Sequence, residues 1–345
     1  MKRLLLMFLA ALAVLAFAGC NTTSSVTTPG NNNGNTSTVP ASLSPVLAND
    51  ETADPAGAGV YGGSDGLGEI GSSDEAVITG AFAPGLAIPD SIRLVWWRKI
   101  NSFNYTLTRS GDTDSVAVSV SRTLNGVFNA RYVHRKNKPD TLLYSKPFGV
   151  TWNRSAVFKK LPFSLSSSGE DGTMWQLVLV SLAHAVQISP TGVTLPAIQS
   201  VTLTGHDSSG APLSVTFNDP TQLYDPRTLP MIPVGDSVSV KVVTDGNDSN
   251  QLAFIHFDWD GAALSTCWRR PLAYNSTDGA FEGSFKVREG FGGRHPGHLR
   301  ARSAVWVDVI TKATLDDTTA PYAGDAWGVP YRIFRHRGAA FAFRD

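Results

Sequence analysis

Three ionisable side chains alternate with aromatic residues in the segment 256–260. On an extended strand, residues two apart share a face, so His256, Asp258 and Asp260 would project together. A histidine beside two carboxylates has the groups needed for acid–base catalysis or for binding a cation. Solvated strand residues that lead into a turn at Gly261 explain the same pattern. We therefore assign no catalytic residue here and keep a hydrolase as an alternative.

Two further segments contain residues that bind metals in other proteins. His295 and His298 flank a Pro-Gly dipeptide, which favours a turn, and a zinc site would need at least one more ligand. Residues 245–250 begin like a calcium loop, but an EF-hand requires Gly at loop position six and Glu at position twelve. Asn250 and His256 occupy those positions. The sequence therefore predicts no metal site and no cofactor.

A basic segment covers residues 122–160 and contains a single acidic residue, Asp140. Its basic residues are Arg122, Arg131, Arg135, Lys136, Lys138, Lys146, Arg154, Lys159 and Lys160. Aromatic residues are interleaved with these charges. Such a segment could bind an anionic polymer or lipid headgroup, and the candidate anion-binding residues are Arg131, Arg135, Lys136 and Lys138. A solvated hairpin face with its aromatic residues in the core is the alternative.

The overall charge gives no reason to expect a nucleic-acid partner. The 345-residue chain has 29 basic and 29 acidic residues, so no global positive field exists to attract a polyanion of that kind. The chain has two cysteines, Cys20 and Cys267. Because Cys20 lies in the predicted export signal, a disulfide scaffold is excluded, and we expect Cys267 to be a buried structural residue.

The N-terminus has the features of an export signal. Lys2 and Arg3 precede an apolar run from Leu4 to Ala16, which is too short for a span of about 20 residues. Phe17-Ala18-Gly19-Cys20 follows, and small residues before a cysteine resemble the lipobox of bacterial lipoproteins. That resemblance implies that residues 1–19 are a signal peptide and that Cys20 becomes a lipidated N-terminus. An ordinary secretory signal is the alternative.

Residues 20–58 are predicted to be a disordered linker, because Asn, Thr, Ser, Pro, Gly and Ala cannot bury enough apolar surface to offset chain entropy. No Lys or Arg occurs between Asn21 and Ser91, whereas several acidic residues do. The linker is therefore acidic and would not adhere to an anionic membrane. Because Asn21 differs from the aspartate that the lipoprotein resemblance associates with inner-membrane retention, we expect an outer-membrane location.

Period-two alternation predicts an all-β fold of two antiparallel domains. We assign residues 59–195 to an N-terminal β domain. Asn125-Gly126 separates two strand-like runs and predicts a hairpin with a type I′ turn. The apolar run from Trp175 to Ile188 predicts a buried strand or strand pair, and Ile92 to Ile100 fits either a short helix or a strand. We find no amphipathic helix of normal length.

Residues 196–345 alternate in several short strands, for example around Val238, Phe281 and Val305. Their order resembles the immunoglobulin-like modules of bacterial surface proteins, although the cysteine pair of antibody domains is absent. The resemblance implies a β-sandwich in this half of the chain. The chain as a whole also resembles a type of bacterial secreted lipoprotein with a Pro-Tyr…Trp-Gly-Val-Pro-Tyr segment, here Pro321-Tyr322 and 327–331. This second resemblance implies no activity.

Together these features favour a membrane-anchored envelope lipoprotein that acts as a non-catalytic binding or interaction module. Its expected partners are the membrane, through the lipid on Cys20, and an anionic envelope polymer or a protein. A structural spacer is the first alternative. An envelope-polymer hydrolase built on His256 and Asp258 is the second.

Replacing Cys20 tests the predicted anchor. The Cys20→Ala variant should fractionate away from membranes, because it lacks the thiol that carries the lipid, and the mature wild-type chain should show added lipid mass by mass spectrometry. An unmodified thiol at Cys20, or cleavage at another position, would contradict the prediction.

Overall fold

The part of the protein that the structure describes is almost entirely β-structure. A computed structural model describes residues 76–78, 92–112, 114–134, 141–165, 170–257, 268–287 and 300–334. The strands of the first half are β1 Ala76–Ile78, β2 Ile92–Gly111, β3 Ser115–His134, β4 Thr141–Leu165, β5 Glu170–Val180 and β6 Ala183–Ser189. The remaining strands are β7 Ile198–His206, β8 Pro212–Phe217, β9 Met231–Pro233, β10 Ser237–Thr244, β11 Gln251–Phe257, β12 Trp268–Pro271, β13 Ala273–Asn275, β14 Ala280–Lys286, β15 Arg300–Thr311 and β16 Gly324–Phe334. One short helix, α1, covers Lys312–Asp316.

The larger sheet closes on itself. Its strands follow the order β15-β11-β12-β1-β2-β3-β4-β6-β16, and β16 pairs again with β15 to complete the ring. Most neighbours are antiparallel, whereas β1 and β12 are parallel. Strands β5 and β9 attach at the side, to β4 and β16 respectively. We refer to this ring of strands as the closed sheet.

Alternate residues of strands such as β3, β4, β11 and β15 point into the closed sheet and form its core. On β15, for example, Trp306 and Ile310 belong to this inner core, while Val307 and Val309 belong to a second core outside. The inner core is rich in aromatic rings, including Trp96, Phe128 and Tyr322. A Cβ atom at Gly328 would lie 2.6 Å from the ring of Trp306, so only glycine fits at that point on β16.

The second sheet has the order β13-β14-β10-β7-β8 and covers one side of the closed sheet. Its apolar face, which includes Val240 and Phe285, packs with Val307 and Val329 from the outer faces of β15 and β16. The all-β prediction, with two largely antiparallel sheets, is therefore confirmed. The immunoglobulin-like topology is not confirmed, because the strands facing the second sheet belong to the closed sheet.

Strands from both halves of the chain share the closed sheet. β1 to β6 precede residue 195, whereas β11, β12, β15 and β16 follow it. The predicted division between residues 59–195 and 196–345 therefore does not coincide with a division between the sheets. Residues 1–19 and 20–58 lie outside the described residues.

The hairpin predicted at Asn125-Gly126 is wrong. Strand β3 runs without interruption through both residues, and Gly126 faces the interior between Leu124 and Phe128. A bulge in β2 between Ile100 and Ser102 lies opposite. A glycine inside a strand often marks a bulge of this kind, so the residue type alone did not require a turn.

The turn that joins β2 to β3 is built by Asp112. Its Oδ1 accepts hydrogen bonds from the backbone N–H groups of Asp114 and Ser115, at 2.9 and 2.7 Å. The run from Ile92 to Ile100 is part of β2, so the strand alternative was correct. The strand pair predicted over Trp175 to Ile188 is confirmed as β5 and β6, which both pair with β4, but it is not buried throughout, because Val186 and Ile188 are exposed.

A buried ion pair crosses the interior of the closed sheet. Arg98 on β2 donates from Nη1 and Nη2 to the two carboxylate oxygens of Asp308 on β15, each at 2.7 Å. Nη2 also donates to the hydroxyl of Tyr322 at 2.7 Å. Both charged side chains are 1% exposed or less. Burial opposes the charge of Arg98, but Asp308 and Tyr322 outweigh it and raise its pKa above the usual value.

Breaking this ion pair should destabilise the fold strongly. Asp308→Asn leaves the buried guanidinium without a counter-charge, and the free energy of unfolding should fall by about 3–5 kcal/mol. Denaturant unfolding of Arg98→Met, Asp308→Leu and the double variant Arg98→Met/Asp308→Leu measures the coupling energy between the two side chains. The double variant should lose less stability than the sum of the single losses, and additive losses would show that the two charges do not depend on one another.

Candidate functional site

The structure separates the basic segment 122–160 into buried and exposed groups. Arg122, Lys146 and Arg154 are 7%, 4% and 5% exposed and lie on the inward face of β3 and β4. The alternative in which the basic residues form a solvated face is therefore wrong for these three. They share strand parity with core residues such as Leu124 and Trp152, although parity alone does not say which face of a strand is inside.

The exposed basic residues of this segment do not form one patch. Lys159 and Lys160 are exposed near the β2–β3 turn, and Lys159 pairs with Ser115. Arg131 is half-buried near the other end of β3. At about 3.3 Å per residue, Ser115 and Arg131 are on the order of 50 Å apart along the strand. An anion would therefore contact only one of these ends.

Arg131 lies on the outer face of the closed sheet beside an aromatic ring. Its guanidinium carbon is 5.2 Å from the centre of the Trp97 ring, which fits a cation–π contact. Asn129 is next to it on the same face, and Ser145 donates a hydrogen bond to the Oδ1 of Asn129 at 2.7 Å. This end of β3 therefore combines a cation, an indole ring, an amide and a hydroxyl.

The four predicted anion-binding residues divide between strand β3 and the connection that follows it. Arg135, Lys136 and Lys138 lie outside the described residues, in the connection from His134 at the end of β3 to Thr141 at the start of β4. The structure therefore locates Arg131 alone. Arg135, Lys136 and Lys138 follow Arg131 closely in the sequence.

Lys146 holds the short helix α1 against the end of the closed sheet. Its Nζ donates to the carbonyl oxygens of Ala313, Thr314 and Asp317 at 3.1, 2.7 and 2.6 Å. The hydroxyl of Tyr144 donates to the carbonyl oxygen of Leu315. Carbonyl groups at a helix end lack intrahelical partners, so these two side chains satisfy them. Lys146 is therefore a structural residue and not a surface cation.

His256 is also part of the interior. It is 1% exposed, and its ring centre is 6.3 Å from that of Trp306. The interpretation as a solvated strand residue is therefore wrong for His256. Asp258 and Asp260 lie outside the described residues, as do Cys20, Cys267, His295 and His298.

The calcium-like segment 245–250 forms the turn between β10 and β11, as expected for a loop without the EF-hand pattern. The backbone N–H groups of Asn250 and Gln251 donate to the carbonyl oxygen of Asn247 at 3.2 and 2.9 Å. Within the described ranges, no group of three or more His, Cys, Asp or Glu residues is arranged to hold a metal ion. No helix in the same ranges is long and apolar enough to cross a membrane.

No protein-family model, curated protein or solved structure matches this chain.

The buried position of Lys146 should make stability depend on pH in a defined direction. Burial lowers its pKa to about 8, although Asp317 and Asp316 oppose this shift. In the unfolded chain Lys146 has the ordinary lysine pKa of 10.5. Between these values the unfolded chain holds a proton that the folded chain has released, so stability rises with pH across the window from about 8 to 10.5.

Lys146→Met isolates this contribution. The unfolding free energy of the wild type minus that of Lys146→Met should increase as pH rises from about 8 to 10.5, by at most about 1.4 kcal/mol per pH unit. Urea unfolding of both chains at several pH values gives the difference. A difference that stays constant across the window would show that the Lys146 pKa is not lowered.

Proposed function

We propose that the chain is a membrane-anchored envelope lipoprotein that binds an anionic envelope polymer at the end of β3. The anchor is the lipid on Cys20, and the acidic segment after it spaces the folded part from an anionic surface. An outer-membrane location fits the residue that follows Cys20. The observation that carries the binding proposal is the position of Arg131 against Trp97, beside the basic connection to β4.

The geometry favours this end of β3 over the rest of the basic segment. Arg122, Lys146 and Arg154 are buried inside the closed sheet and cannot meet a polymer. Arg131 remains half-exposed, and its connection adds Arg135, Lys136 and Lys138 within a short length of chain. Several cations in so short a segment attract a polyanion more strongly than separated charges do.

The neighbouring side chains suit a sugar-containing polymer. The indole ring of Trp97 offers an apolar face, and the exposed Ser145, which donates to the buried Asn129, places a hydroxyl oxygen on the same side of the sheet. A guanidinium binds carboxylate or phosphate groups in a bidentate manner. An acidic glycan carries both kinds of group and is the partner that we propose.

Charge reversal at this end tests the proposal. Full chains in which Arg131, Arg135, Lys136 and Lys138 are replaced by Glu should lose salt-sensitive retention on isolated envelopes. The physical reason is that exposed cations act over about one Debye length, roughly 8 Å at physiological salt. Retention is measured by sedimentation across a salt series, after the lipid anchor is removed with Cys20→Ala in every chain.

A matched control separates local binding from net charge. Replacing the exposed Lys159, Lys160, Arg270 and Lys286 by Glu changes the charge equally at other places on the surface. Retention of this control should match wild type. If both quadruple variants bind as wild type does, the protein is a spacer, and if both lose binding equally, the attraction is not localised.

A further inference from the structure

A cleft of about 670 Å³ lies at the end of the closed sheet where α1 packs. Its walls come from residues 193–196, from the β10–β11 turn and from residues 311–323. Its volume falls within the range of pockets that take small ligands, about 300–1,000 Å³. No part of this wall belongs to the basic end of β3, so the cleft is independent of the proposed polymer site.

Two carboxylates, those of Asp245 and Asp316, line the cleft. Asp245 uses its Oδ1 to accept from the backbone N–H of Ala197 at 3.0 Å and from the Nε2 of Gln251 at 2.7 Å. Its Oδ2 accepts no hydrogen bond from the described part of the chain. Asp316, on the last turn of α1, is exposed and likewise accepts none from described residues. Both carboxylates therefore have free acceptor capacity toward the cleft.

Gln251 supplies a second, independent observation. Its side chain lines the cleft and is 4% exposed, and its Oε1 has no hydrogen-bond partner within the described ranges. Its Nε2 already donates to Asp245, so the orientation of the amide is fixed by that bond. A buried acceptor without a donor costs free energy, which a ligand that brings a donor would recover.

About half of the lining is apolar, and the rest includes hydroxyl and amide side chains. Leu195, Pro196, Ala313 and Pro321 contribute apolar surface beside these acceptors. Lys312 is the basic residue of the wall, and two carboxylates against one ammonium leave the lining net negative. A ligand suited to it has a cationic donor group at the end of an aliphatic stem.

We propose that this cleft binds a primary ammonium or guanidinium group on an aliphatic stem, such as the side chain of Lys or Arg in a peptide. Asp245 and Asp316 receive the charged group, Gln251 accepts one of its N–H donors, and the apolar wall packs against the stem. A divalent cation is a poorer fit, because the wall offers two carboxylates and the described residues hold no larger set of acidic or histidine ligands.

Calorimetric titration of the full chain carrying Cys20→Ala tests this proposal with two probes. The first is Nα-acetyl-lysine amide, and the second is Nα-acetyl-norleucine amide, which keeps the aliphatic stem and lacks the ammonium. The lysine probe should bind at least about tenfold more tightly, since a charge-assisted hydrogen bond to carboxylate is worth that ratio or more. Equal binding of both probes, or no binding of either, would overturn the proposal.

Removing the carboxylate charges should abolish that preference. Asp245→Asn/Asp316→Asn retains an acceptor oxygen for Ala197 and Gln251 but removes both negative charges. Asp248→Asn is the matched control, because Asp248 is in the same turn and does not line the cleft. The control should bind as wild type does.

Two further measurements complete the test. If the double variant has a lower melting temperature than wild type, the single variant Asp316→Asn is used instead. Asp316 is exposed, so its charge can be removed without unfolding the protein. Unchanged binding in the folded charge-removed variant contradicts the assignment. Glucose serves as an uncharged polyol, and glucose binding that exceeds that of the lysine probe would assign the cleft to a sugar and overturn the proposal.

Discussion

The bond between Arg98 and Asp308 is the interaction on which the closed sheet depends. These residues are 210 positions apart in the chain, and their pairing joins β2 to β15 across the interior. Tyr322 completes the hydrogen bonding, and the Arg98 guanidinium carbon lies 5.3 Å from the ring centre of Trp96 and 5.4 Å from that of Tyr322. A charged group in an apolar core is tolerated only when its partner is held at the correct distance. The pair therefore favours the one arrangement of strands that brings β2 and β15 to opposite walls of the same ring.

Strands β11, β15 and β16 each contribute to two cores at once. Their inward residues, such as Phe254 and Trp306, fill the closed sheet, while their outward residues, such as Val307 and Trp327, pack against the second sheet. A strand with apolar residues on both faces cannot be solvated on either side. The second sheet is consequently required to cover the outer face of the ring, and the two halves of the chain are bound together by shared strands.

Two polar side chains of β4 fix α1 to the end of the closed sheet. Tyr144 and Lys146 reach from β4 to the backbone of α1, and β4 begins at the connection that follows Arg131. The cleft with its two carboxylates uses α1 as a wall. The shape of the proposed ammonium-binding cleft therefore depends on how Lys146 holds the helix, whereas Arg131 contacts Trp97 on the outer face of the ring.

Local pattern alone determined that the chain is all-β, because period-two alternation depends only on neighbouring residues, and it placed the strands around Val238, Phe281 and Val305 correctly. It also identified the turn at residues 245–250. The signal peptide and the lipidation of Cys20 stay predictions. Local pattern could not tell that Asn125-Gly126 continues a strand, since glycine occurs both at β-bulges and in hairpin turns. It also could not assign Arg122, Arg154 and His256 to the interior, or gather Asp245, Gln251 and Asp316 around one cleft. Those outcomes follow from strand pairings between distant segments, and only the closure of the sheet decides which face of each strand is inside.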